Sequence, residues 1–403
     1  MDAVLSNEIL LQAVNEFGSP LYVYDDQRIR DQYGKLVSAF HRSDVRFFYA
    51  CKALTNVNIL KIMHELGSGI DCVSINEVKL AIRAGVEPDK IIFTPNGVGL
   101  AEYLEATALN VHINIDNLDL LQQFGRHFGS AYPVIIRLNP HIMAGGNIKI
   151  ATGHVDSKFG ISIDQIDQII AIAKQTGVKV KGLHLHTGSE IKEVDVFIKG
   201  LELILELTHH FPDLTVVDLG GGFKVPYKSE EKGTDMQLLG EKMAETFAVF
   251  KQKTGRMFQV WFEPGKFLVS ECGYFLVKAN ILKQAPSRTF VGVDSGFNHL
   301  IRPMFYDAYH KITNISNPSG GLCTYNIVGN ICETDTFAWD RELNEVRAND
   351  ILLFNNAGAY GFEMSSRFNS RCRPAEVLVK NGRLKLIRRR ETFDDVIAGQ
   401  VID

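Results

Sequence analysis

The chain has 403 residues, 45% hydrophobic and 22% charged, with 43 Lys plus Arg against 47 Asp plus Glu for a formal net charge of -4. This composition supports a sizeable core and excludes a mainly disordered or fibrous chain, and the mild negative charge offers no field to gather nucleic acid or anionic lipid. Asp2, Glu8 and Glu16 interrupt the amino-terminal segment and no long uncharged apolar run follows, so neither a signal peptide nor a membrane-spanning helix is expected. Six cysteines without a CxxC pair point to reduced thiols in a cytoplasm.

Short β-branched or aromatic runs predict strands at 46–50, 69–73, 91–94, 111–115, 134–138, 180–186, 216–219 and 260–263. Helical patterns fill the gaps, as at 57–66, where Ile59, Leu60, Ile62, Met63 and Leu66 share one face, and at 74–84. Eight βα units match an α/β fold of the (β/α)8 TIM-like barrel type, although a doubly wound sheet also alternates in this way. After Gly265 the texture changes. Runs at 290–293, 325–328, 351–354 and 376–379, bounded by Gly, Asn, Asp and Ser, predict a C-terminal all-β domain. Residues 380–390 read as a hairpin strand with an Asn-Gly turn, and the Arg388–Arg390 run as its solvated edge. The expected division is a barrel over 20–265 and a β domain built from 1–19 and 266–403.

Barrel chemistry sits where the strands end, and Lys52, Asp71, Ser74, His186, Ser189, Gly220–Gly222, Glu263 and Lys266 all fall there. Taken singly, each could be a solvated loop residue. The three glycines of DLGGGF could present bare N–H groups to a phosphate, or serve only as a tight turn. Lys52, preceded by apolar residues, could have its pKa lowered by desolvation and act as a Schiff-base amine. A phosphate site and an amine together suggest pyridoxal phosphate, and Glu263 in FEPGK is the candidate partner for its ring nitrogen. His184 and His186 share one face of a strand. They fit a metal pair of a hydrolase, one buried and one exposed histidine, or a histidine stacked on a cofactor ring.

The motifs FYACKA, HLHTGSE, DLGGGF, FEPGK, IRPMFYDAYH, GNICETD and NAGAYGFEMSSRFNSR, spread from about Pro20 to about Val379, together resemble the fold-type III pyridoxal-phosphate-dependent decarboxylases, with their alanine racemase-like architecture. The resemblance implies that Lys52 forms the Schiff base with pyridoxal phosphate, that His186 stacks on its ring, and that Ser189, Gly220, Gly221 and Gly222 hold its phosphate. It implies further that Glu263 pairs with the ring nitrogen, that Asp71, Gly265, Lys266 and Tyr360 line the cofactor, and that no metal is needed. It also implies a homodimer with shared active sites, the partner contributing Cys332 as proton donor and Glu333. For an arbitrary cysteine a small buried hydrophobe remains the commoner fate.

The implied reaction is that of a carboxy-lyase, the decarboxylation of meso-2,6-diaminopimelate to L-lysine and CO2. In it Arg302 and Tyr306 would bind the distal carboxylate, Glu333 the distal ammonium, and Lys266 and Tyr360 would also face substrate. Another basic amino acid or carboxynorspermidine is the alternative substrate, and a non-catalytic cofactor-binding regulator or a metallo-hydrolase the remoter one. Arg302 could instead be a structural ion pair. Two departures from the family stand out. Lys266 replaces the usual arginine of EPGR, losing its planar fork, and Asp335 follows CET one residue earlier than in relatives.

Overall fold

A computed structural model describes residues 5–142 and 157–401. Residues 1–4, including Asp2 in the amino-terminal segment considered above, lie outside the described residues. The chain forms two compact units, one of residues 32–225 and 232–267, the other of residues 1–31, 226–231 and 268–403.

The first unit is a closed barrel of eight parallel strands: Val45–Ala50, Gly69–Cys72, Ile91–Phe93, His112–Ile115, Val134–Asn139, Val180–Leu185, Val216–Asp218 and Gln259–Phe262. Each pairs with the next, and the last closes on the first through Val260 opposite Val45. All eight expected strands are present. The doubly wound alternative is excluded by that closing pair.

Connecting helices start where short polar side chains satisfy their free N–H groups. Ser74 Oγ accepts from Glu77 N–H, while Glu77 Oε2 accepts from Val73 N–H, so both side chains close the start of the helix Ile75–Arg83. Asn56, Asn117 and Asp235 cap the helices Val57–Glu65, Leu118–Phe128 and Met236–Thr254 in the same way. Phe48, Ile92, Ile135, Val216 and Trp261 fill the amino-terminal half of the barrel. That apolar plug leaves the polar residues of the carboxyl-terminal half to form the site.

The second unit is built on a nine-stranded sheet. Strand Leu21–Asp25 runs antiparallel to Gly273–Gln284 and parallel to Ala375–Lys380, so this segment, expected inside the barrel span, is a central strand of the other unit. All five of its residues are buried, as its position between two neighbours requires. Leu10, Ala13, Val23, Leu276, Leu353 and Val377 contribute to the core beneath it. The expected hairpin is present, Asn381 and Gly382 turning with φ of 51° and 70° between Ala375–Lys380 and Arg383–Arg388. The strand does end the sheet order and Arg389 is exposed, as a solvated edge would be, but each of the three arginines also has a partner. Arg388 pairs with the buried Glu376, Arg389 with Asp395 at 2.5 Å, and Arg390 donates to the Pro20 carbonyl at 2.8 Å. The triplet thus has three separate partners, two of which, Pro20 and Asp395, lie off the sheet. Among the described residues no helix is long and apolar enough to cross a membrane.

Candidate active site

Register places the first pair of groups. Ala50 is opposite Asp71 on adjacent strands, and the short turn Cys51–Ala53 carries Lys52 back over the strand end, where its Nζ donates to Asp71 Oδ2 at 2.9 Å. Asp71 is fully buried, and burial followed by the nearness of Glu263 raises its pKa, against the opposing pull of Lys52. The desolvated lysine expected from the sequence is not what the fold builds. The Lys52 side chain is 40% exposed and its partner is a carboxylate.

Glu263 lies just beyond the last barrel strand and is buried. Burial alone would raise its pKa, but the His184 ring, then Lys52 and His186, more than reverse this and bring the carboxyl down to about 2. His184 Nε2 is 3.4 Å from Glu263 Oε2, and its Nδ1 is 2.7 Å from the Asn114 amide nitrogen. An amide N–H donating to Nδ1 leaves the ring proton on Nε2, facing the carboxylate. Arg137, also buried, faces Glu263, Asp116, Asp71 and Asp218, so the barrel interior holds several acids around one fixed cation. The His184 and Glu263 ligand atoms lie with those of Asp218 within 4.8 Å of one another. His186, the other half of the expected metal pair, is not in that group.

The triple glycine is shaped from both sides. Asp218 Oδ1 accepts from Gly220 N–H at 2.9 Å, and Gly220 and Gly222 have φ of 63° and 102°, values open to glycine but strained for other residues. A Cβ at Gly221 would collide with the Glu263 carbonyl, and one at Gly222 with the Gly188 carbonyl. Gly221 N–H donates to His186 Nδ1 at 3.2 Å, and burial, reinforced by the Arg137 charge, holds His186 neutral down to about 3. Ser189 Oγ accepts from Lys266 Nζ at 3.4 Å, and Lys266 also pairs with Glu190. Gly265 packs against Ala50 and Ala53, where a side chain would crowd the Lys52 turn. Lys52, Asp71, His186, Ser189, Gly220–Gly222, Glu263, Gly265 and Lys266 therefore gather in one unit at the carboxyl ends of its strands.

The remaining expected residues belong to the other unit. Arg302 is buried, its Nη1 donating to the Tyr227 hydroxyl at 2.7 Å with the guanidinium 4.8 Å over the Tyr227 ring. Among the described residues it has no carboxylate partner, its side-chain contacts there being Tyr227 and His310. Tyr306 closes the same short helix, Arg302–Tyr306. Cys332 and Glu333 are exposed, and Asn369 brackets Cys332, its Oδ1 accepting from Cys332 N–H at 3.3 Å and its Nδ2 donating to Sγ at 3.4 Å. The buried-hydrophobe reading of Cys332 thereby falls away. Asp335 accepts from Phe297 and Ile331 N–H groups and fixes the loop that carries both residues. Tyr360 sits at a φ of 57°, one residue before Gly361, whose Cβ would meet the Ala357 carbonyl.

Asn114, Arg137, Asp218, Tyr227 and Asn369 complete these arrangements and were not singled out from sequence. A signal existed for some. Asn114 in VHINI, Arg137 in VIIRL and Asp218 in VVDL are polar residues inside otherwise apolar strands, costly to bury unless they serve one another.

The barrel carries an amine, a buried ionised carboxylate and a glycine cradle at its strand ends, a set that suits a cofactor-dependent enzyme, and residues 26–270 match the family model described as "Pyridoxal-dependent decarboxylase, pyridoxal binding domain". A diaminopimelate decarboxylase of Methanothermobacter thermautotrophicus is 38% identical over 407 residues, 97% of this chain and 93% of its own. That of Escherichia coli K12 is 32% identical, covering 100% and 98%. The crystal structure of the diaminopimelate decarboxylase of M. jannaschii with L-lysine superposes with a TM-score of 0.90 at 31% identity, covering 98% of this chain and 94% of that one. The chain belongs to the pyridoxal-dependent decarboxylases and, within them, to the diaminopimelate decarboxylase family.

Proposed function

We propose that the chain decarboxylates meso-diaminopimelate to L-lysine and CO2, as a homodimer in the cytoplasm. The observation that carries the substrate is Arg302, a buried guanidinium with no carboxylate of its own among the described residues, which an incoming carboxylate would complete. Family membership carries the reaction.

Pyridoxal phosphate fits the residues present: an amine at a strand end, a cradle from which two Cβ atoms are excluded, and a carboxylate held ionised inside the barrel. When bound, it supplies the electron sink that accepts the pair left as CO2 departs. Lys52 would hold the cofactor through its side-chain amine, which Asp71 keeps at the strand end. Glu263, ionised far below neutral pH, would pair with the ring nitrogen and favour its protonated form. The neutral His186 would cover the ring face, and the Gly220–Gly222 turn, whose Gly220 and Gly221 N–H groups are taken by Asp218 and His186, would offer the phosphate its Gly222 end together with the Ser189 hydroxyl and Lys266, with Gly265 and Tyr360 as further cofactor residues. Arg302 and Tyr306 take the distal carboxylate and Glu333 the distal ammonium. Cys332 delivers a proton to the carbon that lost CO2, so that one proton enters for each CO2 released. The exposure of Cys332 and Glu333 supports their reaching into the site of a second copy. The barrel would then bind the cofactor, and the sheet unit would supply the substrate and partner contacts.

CO2 release from cofactor-loaded protein given meso-diaminopimelate, ornithine, lysine, arginine or carboxynorspermidine separately is the test. Preference for meso-diaminopimelate is expected. Preference for a substrate without a distal carboxylate would overturn the role given to Arg302 and leave the barrel chemistry intact.

A further inference from the structure

The buried Arg302 is held by a frame of uncharged groups, all in its own unit. Tyr227 lies in the segment 226–231, which interrupts the barrel sequence but belongs to the sheet unit. Its hydroxyl accepts from Arg302 Nη1 at 2.7 Å and stands 3.2 Å from Ser270 Oγ. The serine contact, in which either hydroxyl can donate, gives the phenol a second hydrogen-bond partner. The ring beneath the guanidinium fixes the plane of the fork. His310 stands edge-on to that ring, centroids 5.6 Å apart at 87°, and is buried. Its Nδ1–H donates to the Asn355 carbonyl at 2.8 Å, which leaves Nε2 as an acceptor 3.5 Å from Arg302 Nη1. The neighbouring Asn356 donates to the Pro226 carbonyl at 3.0 Å, so residues 355 and 356 anchor both supports.

We propose that Tyr227 and His310 are positioning residues that aim the Arg302 fork at the distal carboxylate of the substrate, and so set the preference for amino acids that carry one. The inference rests on the reading of Arg302 given above. Both supports engage Nη1, and the contacts described leave Nη2 and Nε as the pair for a two-point grip on a carboxylate. Neither support brings a negative charge that would neutralise the arginine and compete with the ligand. A carboxylate in place of Tyr227 would hold Arg302 more tightly but satisfy it within the protein.

The experiment uses the cofactor-loaded full chain. Turnover of meso-diaminopimelate by the wild type comes first, since its absence overturns the functional reading and this inference with it. Given turnover, Tyr227→Phe, which removes only the hydroxyl, is expected to raise KM roughly ten-fold, the effect of losing one hydrogen bond to a charged group, with kcat nearly unchanged. L-lysine, which retains that carboxylate, should inhibit the variant roughly ten-fold less well, and cadaverine, the same chain without it, equally well. His310→Asn should move the same two quantities in the same direction. If both variants weaken L-lysine and cadaverine alike, or lower kcat and leave KM unmoved, the positioning role is overturned. If Arg302→Met alone discriminates the two ligands, the functional reading stands and the positioning role fails.

Discussion

His184 Nε2 stands 3.4 Å from Glu263 Oε2 inside the barrel, with the Asn114 amide 2.7 Å behind the other ring nitrogen. The carboxylate is therefore held ionised by a neighbour from a different strand, and its state depends on a residue two positions before the histidine assigned to the ring face. Replacing His184 with Leu should raise the Glu263 pKa, since burial then acts with less opposition. We expect kcat to fall by about ten-fold to a hundred-fold, the effect of one lost charge-assisted hydrogen bond, and the visible band of the bound cofactor to shift as proton occupancy at its ring nitrogen changes. An unchanged spectrum and rate would remove His184 from the chemistry.

Lys52→Arg keeps a cation beside Asp71 but removes the primary amine. The variant should still fold with an unchanged melting temperature, because the ion pair with Asp71 survives, yet lose at least about a hundred-fold in activity. Borohydride reduction of the cofactor-loaded proteins, followed by peptide mass analysis, checks this directly. A label on residue 52 is expected in the wild type and none in the variant.

Gly222→Ala forces a side chain into a φ of 102° and against the Gly188 carbonyl. A loss of about 1–3 kcal/mol is expected from strain and overpacking, with weaker retention of pyridoxal phosphate on dialysis. Chemical denaturation with and without the cofactor measures both. Normal cofactor retention in a destabilised variant would separate the turn from the phosphate.

Burial, aided by Lys181, lowers His112 to about 4, below its usual value of about 6.5. Lys181 Nζ lies 2.7 Å from Nδ1, the Asp89 carbonyl 2.9 Å from Nε2, and the Arg46 charge also bears on the ring. Because the folded pKa is depressed, this group stabilises the fold fully above pH 6.5, and that contribution fades as pH falls towards 4. The raised Asp71 and Asp218 act in the opposite sense, so the histidine is isolated by difference. His112→Gln should flatten the pH dependence of unfolding free energy between pH 6.5 and 4.5 by about 1.4 kcal/mol per pH unit. Parallel slopes for variant and wild type would contradict this.

The eight barrel strands were legible in the sequence because parallel strands buried on both faces read as short apolar runs spaced by amphipathic helices, and the strand-end chemistry was legible because its residue types are few and demanding. The strand-end placement of Lys52, Glu263 and the triple glycine needed no coordinates. Strand Leu21–Asp25 did, since a fully buried run looks the same whether its neighbours lie in a barrel or in a sheet closed by residues 273–276 and 375–379. The partners of the arginine triplet were hidden for a related reason: those of Arg388 and Arg390 lie 12 and 370 residues away, and charge alone carries no distance. The supports of the functional residues were likewise decided by tertiary structure. Asn114 behind His184 and Tyr227 beneath Arg302 come from segments 70 and 75 residues distant, and only the closure of the barrel and of the sheet brings them within hydrogen-bonding reach. Sequence by itself determined which groups can do the chemistry, because reactivity belongs to the residue type; the fold decided how they are charged and aimed, because pKa and orientation belong to the surroundings.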